Sequence, residues 1–262
     1  VRIGFVGAGR MGVPMIRRLV TAGHSVRAVG RNPAGREAIS AAGATTVGSA
    51  AEAGENAEAV VICVFTDDQV REVCLGSGLL DTMPHDSVLI LHTTGSPDTA
   101  TAIAATGRRV VDAPVSGGPH NIADGAITVF LGGDTEAVER ARPVLSAYAD
   151  PVLPVGALGN GQRVKLVNNA LFAAQIGLVT EAVRLAGQLG LAESEVLAAL
   201  PHASSSSRAV LSVAAKGSVA AFSESVADFL RKDVAVARDL ADRLGSDLGL
   251  LDPAIRAAVG PA

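Results

Sequence analysis

The chain has 262 residues, with 22 Lys+Arg against 26 Asp+Glu and a formal net charge of −4, enough for one large domain or two ordinary ones. Hydrophobic residues make up 48% and charged residues 18%, a balance that excludes intrinsic disorder and supports a sizeable core. No basic excess announces a nucleic-acid partner, and six Phe, one Tyr and no Trp leave little from which to build stacking platforms for bases or sugars.

Strands are predicted at 1–6, 26–29, 59–65, 87–91, 109–111, 127–131 and 152–154, with helices over 11–22, 34–41 and 96–106 between some of them. Strands and helices alternating at this spacing predict βαβ units and a mostly parallel, doubly wound sheet over residues 1–155. The runs VVICVF and SVLIL are apolar throughout much of their length, as strands covered on both faces should be. Past Gly156 the pattern changes to helices alone: a long one over 162–190, then 194–200, 208–216 and 225–244. An all-α domain over 156–262, entered through a long interdomain helix, is therefore expected, with the Ser204–Ser207 run capping the helix that follows it. Cys63 and Cys74 have no C-x-x-C spacing and no clustered His, so neither a disulfide framework nor a zinc site is expected, and a reducing cytoplasm suits them. The absence of about 18 uninterrupted apolar residues predicts no membrane span, and Val1 leads straight into a strand with no signal peptide, although without an initiator Met.

Four segments carry chemistry. Gly7, Gly9 and Gly12, with Arg10 and Met11 between them, form a G-x-G-x-x-G turn from the first strand into the first helix. There the first glycine permits the turn, the second admits a pyrophosphate and the third lets helix and strand pack, while the helix N-terminus faces the phosphates. This is the mark of a Rossmann-type dinucleotide domain. After the second strand stand Gly30, Arg31 and Asn32, with no carboxylate before Glu37. Arg31, aided by Asn32 and Arg36, suits a 2′-phosphate, so NADP is expected rather than NAD. Asp112 heads a loop in which the amides of Ser116, Gly117 and Gly118 can form a concavity for a carboxylate. Finally, Lys165 and Asn169 stand four apart on the long helix. Apolar Val164, Leu166, Val167, Leu171 and Phe172 around them predict a partly buried ammonium suited to acid–base work.

Taken together, GFVGAGRMGVPM, DAPVSGG, GNGQRVKLVNNAL and the late Lys232-Asp233-Val234 segment resemble the β-hydroxyacid dehydrogenase family, which includes 3-hydroxyisobutyrate dehydrogenases and tartronate semialdehyde reductases. The resemblance implies an oxidoreductase with Lys165 as general acid/base supported by Asn169. It also implies that Ser116, Gly117 and Gly118 hold a small carboxylate-bearing substrate, that Lys232 and Thr94 lie near substrate or cofactor, and that no metal is needed. A homodimer or homotetramer packed through the long helix is implied as well. The chain departs from the family pattern in three places: His92-Thr93-Thr94-Gly95-Ser96-Pro97 where an Asp usually leads, Gly30-Arg31-Asn32 where an Asn-Arg-Thr is usual among NADP users, and an end at Ala262 soon after the Lys232 helix. An imine reductase or reductive aminase shares the architecture and the glycines but typically lacks the lysine. A non-catalytic NADP-binding module would have no reason to keep Ser116, Lys165, Asn169 and Lys232 together.

Overall fold

The computed structural model describes residues 1–259. The chain divides into two compact units, Val1–Lys165 and the remainder from Leu166. The first contains β1 (Arg2–Val6), α1 (Gly12–Thr21), β2 (Ser25–Val29), α2 (Pro33–Ala41), β3 (Thr45–Val47), α3 (Ala50–Gly54), β4 (Ala59–Ile62), α4 (Asp67–Arg71), α5 (Leu79–Thr82), β5 (Val88–Leu91), α6 (Pro97–Ala104), β6 (Arg109–Asp112), β7 (Val115–Ser116), α7 (Pro119–Ala123), β8 (Ile127–Gly132), α8 (Thr135–Leu145) and β9 (Ala149–Gly156). The sheet runs β3-β2-β1-β4-β5-β6-β8-β7, with β9 on β8. The first six of these strands are parallel, and β8 is antiparallel to β6. The order reverses direction between β1 and β4, where a doubly wound sheet opens its ligand crevice at the carboxyl ends of the strands. Two buried apolar layers cover the sheet, one around Phe5, Ile16 and Val111 and the other around Ile62, Leu79 and Leu89.

Strands β3 and β7, three and two residues long, were not expected from the sequence; so short a run gives no alternation to detect. The predicted strand at 59–65 ends early at Ile62. Its last residues leave the sheet because Thr66 caps α4 in a reciprocal box with Gln69, whose carbonyl oxygen also accepts from the Phe65 N–H at 2.9 Å.

Helix α9 (Asn160–Gln188) starts in the first unit and continues into the second, where α10 (Glu193–Ala199), α11 (Arg208–Lys216), α12 (Val219–Arg243) and α13 (Leu251–Val259) follow. Ser207 caps α11, accepting from the Val210 N–H. Helix α12 begins six residues ahead of its predicted start because Ser218 caps it. The sequence reading also ended too soon: α13 packs so closely on α9 that a Cβ on Gly177 would fall 1.8 Å from the Ala254 carbonyl oxygen. Residues 260–262, which include the chain end at Ala262, lie outside the described residues. By length and composition alone α9 is long and apolar enough to cross a bilayer, a test that a buried core helix also passes, and close to half of its most apolar stretch is buried within the protein.

Candidate active site

At the end of β1 the three glycines differ in what surrounds them. A Cβ on Gly7, whose φ is +108°, would lie 2.1 Å from the Cys63 carbonyl oxygen, and one on Gly12 would lie 2.1 Å from that of Gly7. Around Gly9 nothing lies within 4 Å. Helix α1 then begins without a side-chain cap at Met11 and with no acid in its first turn. A cradle closed beneath and open above, at an uncapped helix N-terminus, fits a dinucleotide pyrophosphate. Arg10 beside it is exposed and Met11 half-buried.

Beyond β2, Arg31 and Asn32 are both exposed. Asn32 caps α2, its Oδ1 accepting from the Gly35 N–H at 2.8 Å. Arg36, expected to help with phosphate, instead folds back so that its Nε donates to the Gly30 carbonyl at 3.0 Å.

The loop after β6 corrects one expectation. Ser116 is half-buried and pairs with Thr128 across β8. Gly117 has a φ of +134°, a region favouring glycine. The Gly118 N–H, however, donates to Asn121 Oδ1 at 2.8 Å, so of the three amides expected to converge on a carboxylate this one already serves the loop itself. Thr94 is half-buried in a loop held on either side: Thr93 Oγ1 donates to the Val64 carbonyl at 2.9 Å, Gly95 N–H to Gln162 Oε1 at 3.0 Å and Ser96 N–H to Asp67 Oδ1 at 3.1 Å.

Two buried polar groups brace this end of the sheet, and neither bracing role was legible in the sequence. Asp112, fully buried, accepts from the N–H groups of Gly159 and Gln162 at 2.7 Å each. Its burial raises the carboxyl pKa, which those two hydrogen bonds oppose. His92, at the position where the family usually has Asp, is buried with Nδ1 2.5 Å from the Ala113 carbonyl and Nε2 2.7 Å from the Tyr148 hydroxyl. A carbonyl only accepts, so Nδ1 carries the proton and the tyrosine donates to Nε2. Burial lowers the His92 pKa to about 4.

Lys165 and Asn169 are indeed buried, at 8% and 2% exposure. Of the apolar residues expected to surround them, Leu166 is buried and Phe172 half-buried, whereas Val164, Val167 and Leu171 are 37%, 67% and 46% exposed. Within the second unit Asn169 Nδ2 donates to Asp233 Oδ2 at 2.5 Å, and Asn169 Oδ1 accepts from Asn168 Nδ2 at 2.9 Å. Lys232 Nζ donates to the other oxygen of the buried Asp233. The amide was expected to face lysine or substrate; both its ends have protein partners, and Asp233 fixes which end is which.

Comparison with known proteins decides the family. The NAD binding domain of 6-phosphogluconate dehydrogenase matches residues 2–157, and the NAD-binding domain of NADP-dependent 3-hydroxyisobutyrate dehydrogenase matches residues 159–256. The chain belongs to the β-hydroxyacid dehydrogenase family. Among its relatives, the NAD-dependent L-serine dehydrogenase of Pseudomonas aeruginosa is 34% identical over 217 residues, 81% of this chain and 72% of that one. The solved structure of Mycobacterium tuberculosis 3-hydroxyisobutyrate dehydrogenase with L-serine is 30% identical and superposes with a TM-score of 0.85, covering 97% of this chain and 91% of that one. An imine reductase from Pseudomonas sp., at 21% identity and a TM-score of 0.65 over 97% of this chain and 99% of that one, shares the fold. Membership makes this protein an NAD(P)-dependent hydroxyacid dehydrogenase acting on a CH–OH group.

Proposed function

We propose that the protein is an NADP-dependent oxidoreductase interconverting a small β-hydroxyacid and its semialdehyde, with Lys165 as general acid/base. The observation that carries this reading is a lysine only 8% exposed on α9, sharing a helix face with a buried Asn169. The relatives' substrates by name, 3-hydroxyisobutyrate and L-serine, share a carboxylate, a substituted second carbon and a terminal CH₂OH. That is the substrate class proposed here. Ser116 and Gly117 bind the carboxylate, Gly118 shapes the turn, and Thr94 lies at the substrate and nicotinamide end of the sheet. Gly7, Gly9 and Gly12, with the amides of Arg10 and Met11, hold the pyrophosphate, and Arg31 and Asn32 receive the 2′-phosphate. Bound there, the reduced nicotinamide supplies a hydride to the carbonyl carbon. Lys165 Nζ gives its proton to the carbonyl oxygen as the alcohol forms, and takes one back in the oxidative direction. Asn169, oriented by Asp233, and Lys232 complete the polar set contributed by the helices.

The outer face of α9 supports self-association. Val167, Leu171, Leu178 and Leu185 are all exposed and, at 3.6 residues per turn, fall within about 40° of one another. A second copy of the chain is the occupant proposed for that stripe, giving a homodimer or a higher homo-oligomer.

Turnover of small 3-hydroxyacids with NADP and NAD, followed by cofactor absorbance, tests the reading. Lys165→Ala is expected to lose about 10²-fold or more in kcat while still binding cofactor; a loss of only a few-fold in a folded variant refutes the acid/base role. Arg31→Ala should cut the preference for NADP over NAD about tenfold or more, and an unchanged ratio refutes the assignment of Arg31.

A further inference from the structure

We propose that Asp112 and Gln162 are positioning residues that lock the first turn of α9, and with it Lys165, in register with the loop that carries Thr94. The inference rests on the reading of Lys165 as the proton donor.

The first turn of a helix leaves amide donors without intrahelical partners. On α9 two amides of this region, Gly159 and Gln162, are taken by the two oxygens of one carboxylate rather than by water or a local cap. That carboxylate stands 47 and 50 residues away, at the end of β6. The fit requires missing side chains on both sides. A Cβ on Gly132 would fall 2.4 Å from Asp112 Oδ1, and one on Gly161 would fall 2.8 Å from Oδ2 and 2.6 Å from the Phe130 carbonyl oxygen. Helix and sheet edge are thus brought together around a buried anion, whose two bonds resist both sliding and rotation of the turn.

Gln162 supplies the second grip. Its side chain, only 3% exposed, accepts from the Gly95 N–H at 3.0 Å and donates to the Thr93 carbonyl at 2.9 Å. Those two residues flank Thr94. Lys165 lies three positions after Gln162, on nearly the same helix face and about 4.5 Å further along the axis. The backbone of Gln162 is therefore tied to the strand that leads into the Ser116 loop, and its side chain to both neighbours of Thr94. A turn free to shift by 1 Å would misplace the ammonium by as much, and proton transfer requires an approach of about 2.6–3.2 Å.

Gln162→Met keeps the volume of the side chain and removes both loop bonds, and Asp112→Asn places an N–H against an amide that itself donates. In the holoenzyme each is expected to lower kcat about tenfold or more, with NADPH affinity, measured by fluorescence titration, within about threefold of wild type. A folded Gln162→Met with kcat within twofold of wild type overturns the proposal, as does an equal loss of NADPH affinity and kcat, which signals general loosening. If Asp112→Asn does not fold, Gln162→Met decides alone. Lys165→Ala measured alongside separates the two levels: if it keeps turnover, the lysine reading fails and this one with it; if it abolishes turnover while Gln162→Met changes nothing, only the positioning role fails.

Discussion

His92 offers a test that needs no substrate. Its ring is buried, donates to the Ala113 carbonyl and accepts from Tyr148, so the folded state has no place for a second ring proton. Burial holds its pKa at about 4 against an ordinary 6.5. Between those values the unfolded chain binds the proton and the folded chain does not, so stability increases with pH. The contribution is complete above pH 6.5, is lost as pH falls toward 4 and is flat below that. At about 1.4 kcal/mol per pH unit the full span is worth roughly 3 kcal/mol, of which about 2.5 kcal/mol falls between pH 7 and pH 4.5. His92→Asn keeps an N–H donor beside Ala113 and has no proton to gain. Urea unfolding of both proteins across that range should show the wild type losing about 2.5 kcal/mol more than the variant; the carboxylates titrate in both and cancel in the difference. Parallel profiles would refute the assignment of His92 as a neutral, buried imidazole.

Two further expectations follow from close contacts and exposed faces. Gly9→Ala should leave the melting temperature nearly unchanged, because its Cβ meets nothing within 4 Å, but should weaken cofactor binding at least about tenfold by filling the space a pyrophosphate needs. Gly12→Ala should instead destabilise the fold by about 1–3 kcal/mol, its Cβ falling 2.1 Å from the Gly7 carbonyl oxygen; calorimetry and a binding titration together separate the two. If the proposed self-association through α9 holds, Leu178→Glu, at a position 60% exposed, should have a smaller mass than wild type by light scattering, and an unchanged mass would exclude this stripe from any interface.

What the sequence reveals of this site is local, and what it hides is distant. The glycine turn, the run of apolar strands and the Lys165–Asn169 pair each lie within a few residues, where one period or one motif carries the signal. The Asp112 and Gln162 contacts span 47 to 69 residues, and the His92–Tyr148 pair spans 56; neither leaves a spacing to detect. Asp112 stands out in the sequence as an acid at the end of an apolar strand, but nothing nearby names its partners. The Gly118 amide shows the converse error. Three amides in sequence suggest a nest, and only the side chain of Asn121, three residues on, reveals that one of them is used.

Lys165 shows how a prediction of burial can rest on neighbours of which only some face the same way. Apolar neighbours in sequence surround it on both sides, but on a helix adjacent residues point about 100° apart. Gln162, Lys165 and Asn169 fall within about 60° of one another, and Val167, Leu171 and Leu178 lie roughly opposite. The buried face of α9 thus begins with polar residues, while Val167, Leu171 and Leu178 look outward. For a water-facing helix this arrangement would be costly on both sides: buried amides and an ammonium need partners, and exposed leucines need cover. Asp233 supplies a partner for Asn169, and Asp112 and the Thr94 loop anchor Gln162. A second chain would supply the cover. On this reading one helix serves catalysis with its inner face and assembly with its outer one, so a substitution such as Leu178→Glu should change mass before it changes the chemistry at Lys165.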